Sequence, residues 1–263
     1  MGFLTRKLTD ATIRRAVKDY LGGGARKKLV VVKYGDISHW DVSKVTNMSS
    51  MFKGATSFNE PLNKWNVSNV RNMWSMFDSA TSFNQPLNHW NVSNVTYMVC
   101  MFQNATSFNQ ALDKWNVNVR SMWGMFNGAS SFNQPLNNWD VSNVKEMGYM
   151  FSGEVAAISF NQPLNNWNVS NVRYMDGMFR NARSFNQPLN KWNVSSVKDM
   201  RNMFWGAESF NQLLNKWNVS SVTDMSRMFS DANYFNQPLN KWNVSNVRTC
   251  LLYTSPSPRD RVQ

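Results

Sequence analysis

Trp65-Asn-Val-Ser-Asn-Val-Arg-Asn-Met-Trp-Ser-Met-Phe-Asp-Ser-Ala-Thr-Ser-Phe-Asn-Gln-Pro-Leu-Asn-His89 is one pass of a pattern that fills most of this chain. Its opening tryptophan returns as Trp40, Trp65, Trp90, Trp115, Trp139, Trp167, Trp192, Trp217 and Trp242, at intervals of 25, 25, 25, 24, 28, 25, 25 and 25 residues. A fixed period of about 20–50 residues marks a stacked repeat, in which no unit can bury its apolar face alone. Nearly all the large residues obey it. Every methionine of the 17 except Met1, and every phenylalanine of the 17 except Phe3, holds a fixed repeat position. The core is therefore the repeat itself.

Within one unit the inward set reads Leu62, Trp65, Val67, Val70, Met73, Met76, Phe77, Ala80 and Phe83. Trp65 and Val67 are two apart, as one face of a short strand requires. Val70, Met73, Phe77 and Ala80 step by three, four and three, the spacing of one helical face. Ser68 stands where an N-cap belongs, and Gly54 of the preceding unit follows Phe52 where a helix end favours Gly. The expectation is a repeat solenoid of α/β class, with one short parallel strand and one helical turn per 25-residue unit. The short unit at Val117-Asn118-Val119 is expected to lose a residue at the strand-to-helix corner. The long one, Gly153 to Ser159, is expected to bulge after the helical turn.

The segment Leu62-x-x-Trp65-x-Val67-x-x-Val70 resembles the strand of a leucine-rich repeat, with Val70 in place of that pattern's ladder Asn. The fuller string, Trp-Asn-Val-Ser-Asn-Val…Met-Phe…Ser-Phe-Asn-Gln-Pro-Leu, is similar to the 25–26-residue repeat of BspA-like surface proteins, which has bacterial, protist and algal relatives. The resemblance spans Gly35 to about Val247. It implies a leucine-rich-repeat-like solenoid and, from the bacterial members, adhesion or protein binding at a cell surface.

Three regions follow: a helical N-terminal cap over 1–34, the repeats over 35–247 with a truncated ninth, and a tail over 248–263. In the cap, Ile13, Val17 and Leu21 share a helical face, Thr9 or Asp10 can start the helix, and Gly22-Gly23-Gly24 stops it. Leu29-Val-Val-Val32 reads as an added strand. Its basic residues Arg14, Arg15, Lys18, Arg26, Lys27 and Lys28 form either a solvated face or a dock for an acidic partner. The tail has no repeat residues, is expected to be disordered, and resembles a translated sequencing-adapter tail, which would make it artefactual.

The net charge is +12, of which residues 1–33 hold +7 and residues 34–247 only +3. Nucleic-acid binding by the repeats is not expected from so neutral a body. The first residues lack a secretory signal's apolar core, and no apolar run approaches the ~20 residues of a membrane span. The resemblance alone implies a cell-surface or secreted location. Cys100 and Cys250 make no disulfide framework and have no metal-ligand spacing.

An enzyme needs converging titratable groups. His39 and His89 share a slot with Lys64, Lys114, Lys191, Lys216 and Lys241, so no catalytic, metal or cofactor site is expected. The Asn59 column, Asn throughout, is expected to run as a side-chain ladder. The Asn-Val-Ser sequons read as repeat chemistry, not sugar acceptors. The candidate partner-binding face is the outer side of the Trp strand: His39, Asp41, Lys64, Asn66, His89, Asn91, Lys114, Asn116, Lys191, Asn193, Lys216, Asn218, Lys241 and Asn243. It is monotonous, which suits a repetitive glycan or polymer, or else no ligand. Trp74, Trp123 and Trp205 are off-pattern aromatics, expected either as exposed hot spots or as extra packing. The function expected is a monomeric, non-enzymatic scaffold binding protein or glycan, the alternative being a structural spacer.

Overall fold

The computed structural model describes residues 7–153 and 158–249. Two helices, α1 (Asp10–Leu21) and α2 (Gly24–Tyr34), precede a short 3-10 turn at Ile37–His39 and the repeats. Helix α1 starts at Thr9, whose N–H donates to Thr12 Oγ1 at 3.0 Å. It buries Ile13, Ala16, Val17 and Tyr20. Leu21, expected on that face, is 41% exposed, and Tyr20 packs edge-on against Trp40 with ring centroids 5.7 Å apart.

The strand expected at Leu29–Val32 is part of α2. Gly23, at φ +67°, reverses the chain after α1, and α2 then packs back on α1. Tertiary context overrides the β-branched run's preference. Only Val30 of α2 is buried. Helix α1 is tied to the first repeat by Asp10, whose carboxylate accepts from the Thr46 and Asn47 N–H groups at 2.8 and 3.0 Å. Arg14 reaches the Ser49 carbonyl at 2.8 Å.

The repeats are built from turns. In the unit opened by Trp65, the carbonyls of Leu62, Val67, Met73, Phe77 and Ala80 accept from the N–H groups of Trp65, Val70, Met76, Ala80 and Phe83. Each of these bonds spans three residues, so an apolar residue opens and closes each of these turns and points inward; one further turn, closed by the Asp78 N–H on the Ser75 carbonyl, is bounded by polar residues. All nine expected inward residues of this unit are buried. Neither the strand at Trp65–Val67 nor the helical turn over Val70–Ala80 forms. Ser75 and Ser79 sit at φ +50° and +59°, a left-handed backbone that no right-handed helix contains. The equivalent positions hold Gly at 54, 124, 128, 177 and 206, the residue that adopts positive φ without strain. Gly54 thus serves a turn, not a helix end.

Backbone bonding between units runs through the turn segment. Met48, Ser50, Phe52 and Gly54 donate to the carbonyls of Asn72, Trp74, Met76 and Asp78, at 2.8, 2.8, 2.9 and 2.7 Å. Alternate residues bond along the stack while those between bond within their own unit, as in a parallel ladder. Single parallel pairings mark it: Asn47 with Asn72, Asn72 with Tyr97, Ser121 with Glu146, Glu146 with Tyr174, Tyr174 with Asp199, Asp199 with Asp224. The ladder lies at residues 71–78 and their equivalents, not at the tryptophans.

Aromatic columns fill the interior. Phe77 stacks on Phe52 and Phe102 at 5.4 and 5.6 Å, and on Phe83 of its own unit at 4.1 Å. Trp192 stacks between Trp167 and Trp217, 6.4 Å from each. Each indole also reaches into the unit before: Trp192 Nε1 donates to the Leu164 carbonyl at 2.9 Å, and Trp90 to Leu62 at 3.0 Å. The tryptophan thus covers area and satisfies a buried carbonyl at once.

Candidate functional site

Two outer surfaces can meet a partner. The first flanks the tryptophans. His39, Lys64, Asn66, His89, Asn91, Lys114, Asn116, Lys191, Asn193, Lys216, Asn218, Lys241 and Asn243 are exposed there, and Asp41 is half-buried. Its asparagines are committed internally. Asn66 Oδ1 accepts from the Ser68 N–H and hydroxyl at 3.1 and 2.7 Å, a turn closed by a side chain that Asn91, Asn168, Asn193, Asn218 and Asn243 repeat. Asn, not Ser, is the capping acceptor. Asn116, in the short unit, has no serine to hold. His39 Nε2 lies 3.0 Å from Lys64 Nζ.

The Asn59 column runs deeper. Asn84 Oδ1 accepts from the Asn109 N–H at 2.9 Å and from Gln110 Nε2 at 3.1 Å, and Asn109 does the same for Asn133 and Gln134. Each amide therefore holds the backbone of the next unit. The long unit keeps the register, with Asn133 accepting from the Asn161 N–H at 2.9 Å. Its expected bulge falls largely on residues 154–157, outside the described residues, as do Cys250 and the rest of the tail beyond it.

The second surface is the outward side of the ladder, which carries two of the three off-pattern tryptophans, Trp74 and Trp123. Met73 points inward, so Asn72 and Trp74 point out, and their equivalents change from unit to unit. The Asn72 column reads Asn47, Asn72, Tyr97, Ser121, Glu146, Tyr174, Asp199, Asp224; the Trp74 column reads Ser49, Trp74, Val99, Trp123, Gly148, Asp176, Arg201, Ser226. Trp74, Tyr97, Trp123 and Tyr174 are 50%, 61%, 37% and 45% exposed. Trp123 leans over Gly148, where a Cβ would sit 2.8 Å from its Cδ1, and meets Tyr149 at 5.5 Å. Trp205 sits apart from this set. It is half-buried, under the Arg180 guanidinium at 4.1 Å, with its N–H donating to Asp231 at 2.7 Å.

Charge on this surface is sorted by column. Arg71, Arg120, Lys145, Arg173, Lys198 and Arg248 occupy one exposed slot, with threonine at 46, 96 and 223. The near-neutral total of the repeats conceals this basic stripe. Acidic groups lie toward the later units. Burial raises the carboxyl of Asp176 despite Arg201 nearby, and burial likewise raises Asp199, whose Oδ2 is 3.3 Å from Arg201 Nε. Cys100 is buried, and burial raises its thiol to about 11, the wrong direction for a nucleophile. Among the described residues no His, Cys, Asp and Glu cluster has metal-ligand geometry, and no helix is long and apolar enough to cross a membrane.

No curated protein matches the chain. The profile of one family matches it in three tandem segments, residues 25–121, 116–212 and 187–252, which together take in the whole ladder. The chain belongs to the tandem-repeat family described as Mycoplasma protein of unknown function, DUF285.

Proposed function

We propose that the chain is a leucine-rich-repeat-like solenoid acting as a monomeric, non-enzymatic binding module, with its partner seated on the ladder face. One observation carries this reading. The ladder face leaves Trp74, Tyr97, Trp123, Glu146, Tyr174 and Arg201 exposed in columns that differ from unit to unit, whereas the asparagines beside the tryptophans close their own turns and the Asn59 column holds the stack. Interface hot spots concentrate in Trp, Tyr and Arg, the residue types gathered here. The resemblance to BspA-like proteins supports adhesion at a surface, to a protein or a glycan.

The full chain on protein and glycan arrays tests the reading. Specific retention should survive Lys191→Ala with Lys216→Ala and be lost on Trp74→Ala with Tyr174→Ala. The opposite pattern would return the binding face to the tryptophan side. No retention by any ligand favours the second reading, a spacer whose unit number sets its length, for which the uniform tryptophan face is the supporting observation.

A further inference from the structure

Among the described residues the ladder is broken once. Between the units of Trp90 and Trp115, two kinds of rung that join the neighbouring units are missing. Thr96 donates to the Arg71 carbonyl at 2.9 Å and Lys145 to the Arg120 carbonyl at 2.8 Å, but Arg120 makes no such bond to Thr96. Met73 donates to Tyr97 and Met122 to Glu146, at 2.8 and 2.9 Å, but Met98 has no rung to Ser121. The parallel pairing of Tyr97 with Ser121 is absent as well.

The cause is in the sequence. The short unit reads Val117-Asn118-Val119 where others read Val-Ser-Asn-Val, so the turn that Val70 closes on Val67 has no counterpart. One missing residue draws the corner in, and a cleft of about 750 Å³ opens at that step. Its wall includes Tyr97, Arg120 and Lys145, with the amides of Asn118, Asn143 and Asn171. Among the described residues neither Arg120 nor Lys145 makes a side-chain ion pair, and Tyr97 is 61% exposed.

We propose that this cleft is a binding site for a carboxylate-bearing oligosaccharide. The inference deepens the binding-module reading and rests on it. A guanidinium fork matches a carboxylate with two parallel bonds, and the Lys145 ammonium adds a point charge beside it. Asn143 Nδ2 donates to Asn118 Oδ1 at 3.3 Å and Asn171 Nδ2 to the Ser142 carbonyl at 2.8 Å, which leaves each of the three amides a further N–H or lone pair for the hydroxyls of a sugar ring, and the Tyr97 ring offers an apolar face. The volume falls in the range of small-ligand sites, about 300–1,000 Å³. A single strand of nucleic acid would instead need successive aromatic platforms along the cleft, which has one.

Calorimetric titration of the full chain with tetragalacturonate tests this, with maltotetraose as the uncharged probe and an oligothymidylate as the phosphate probe. Tetragalacturonate should bind about tenfold or more tightly than either. Arg120→Ala and Lys145→Ala should each weaken it about tenfold, and Arg173→Ala, in the same column outside the cleft, by less than about twofold. Inserting Ser between Val117 and Asn118 restores the common motif, and should close the cleft and abolish binding without lowering the melting temperature. Equal binding of maltotetraose, tighter binding of the oligothymidylate, or full affinity after Arg120→Ala would overturn the site. Array retention that depends on Trp74 and Tyr174 but ignores Arg120 and the serine insertion would sink the cleft alone and leave the ladder-face reading standing.

Discussion

The tryptophan corner and the ladder face are built from the same 25 residues, yet their side chains answer to different demands. At the corner the asparagines are engaged: Asn66 closes its own turn, Asn69 Nδ2 donates to the Ser43 carbonyl of the preceding unit at 2.8 Å, and the Asn59 column holds each successive backbone. On the ladder face the backbone makes the inter-unit bonds, so the outward side chains are released from that task. Asn47, Asn72, Asp199 and Asp224 still accept from the N–H two residues on, but within their own units. Uniform columns are therefore wiring between units, and varied columns are left out of that wiring. Sequence monotony, which suits a repetitive ligand or none, has a sufficient cause in the stack itself.

Substitutions can break this contrast at either end. The largest loss is expected at the interior tryptophan: Trp167→Ala removes the stack on Trp192 at 6.4 Å and the bond to the Leu136 carbonyl at 2.9 Å. Truncating a buried large aromatic typically costs about 3–5 kcal/mol. Urea unfolding should show that loss, and a loss under about 1 kcal/mol would contradict the shared core. Next comes Asn109→Ala, which strips the acceptor from the Asn133 N–H and from Gln134 Nε2. Leaving such donors unpaired costs about 1–3 kcal/mol. Lys191→Ala, fully outward beside Trp192, should change stability by no more than about 0.5 kcal/mol.

A smaller effect separates the two surfaces by pH. Burial raises Asp176, so the folded chain holds that proton more tightly than the unfolded chain does. Its contribution is complete below the unfolded value of 3.8 and declines as pH rises through the raised folded value. Asp140, near the tryptophans, runs the other way. Bonds from the Ser142 hydroxyl and N–H lower its carboxyl, so its contribution is complete above 3.8 and is lost as pH falls through the lowered value. Asp176→Asn should therefore remove part of the decline in melting temperature from pH 4 to 7, while Asp140→Asn should flatten the loss below pH 4. Unchanged pH profiles in both variants would contradict these assignments.

Which residues face inward was legible because burial needs only a periodic pattern, and Leu62 to Phe83 supplied it without ambiguity. The local backbone was not legible from the same residues. Steps of three and four belong to a helix and equally to consecutive turns that open and close on apolar residues. The deciding signal lay elsewhere in the motif. The positions of Ser75 and Ser79 hold Gly or Asn in several other units, as at Gly124, Gly177, Asn104 and Asn181, and those residues tolerate positive φ. Placing the strand at Trp65–Val67 followed from a spacing of two, but inter-unit backbone bonds form where donors alternate along Met48, Ser50, Phe52 and Gly54. Trp74 and Trp123 stood out singly as off-pattern aromatics, but the face they share did not, because variation within a repeat reads as filler until the backbone shows those columns side by side. Val117-Asn118-Val119 was legible as a short corner, but the cleft it opens depends on rungs that only the fold displays.

Two triple variants test the central contrast most directly. One removes exposed bulk from the ladder face, Trp74→Ala, Tyr97→Ala and Tyr174→Ala; the other trims three small amides, Asn84→Ala, Asn133→Ala and Asn186→Ala, each separated from the next by one intact unit so that their losses add. Measured by equilibrium unfolding in urea, the amide set should lose at least about 3 kcal/mol through unpaired donors in the following units. The aromatic set should lose less than half as much, although it deletes far more side chain. An aromatic set that destabilises as much as the amide set would show that the ladder face is structural, and would contradict the division between wiring and free surface.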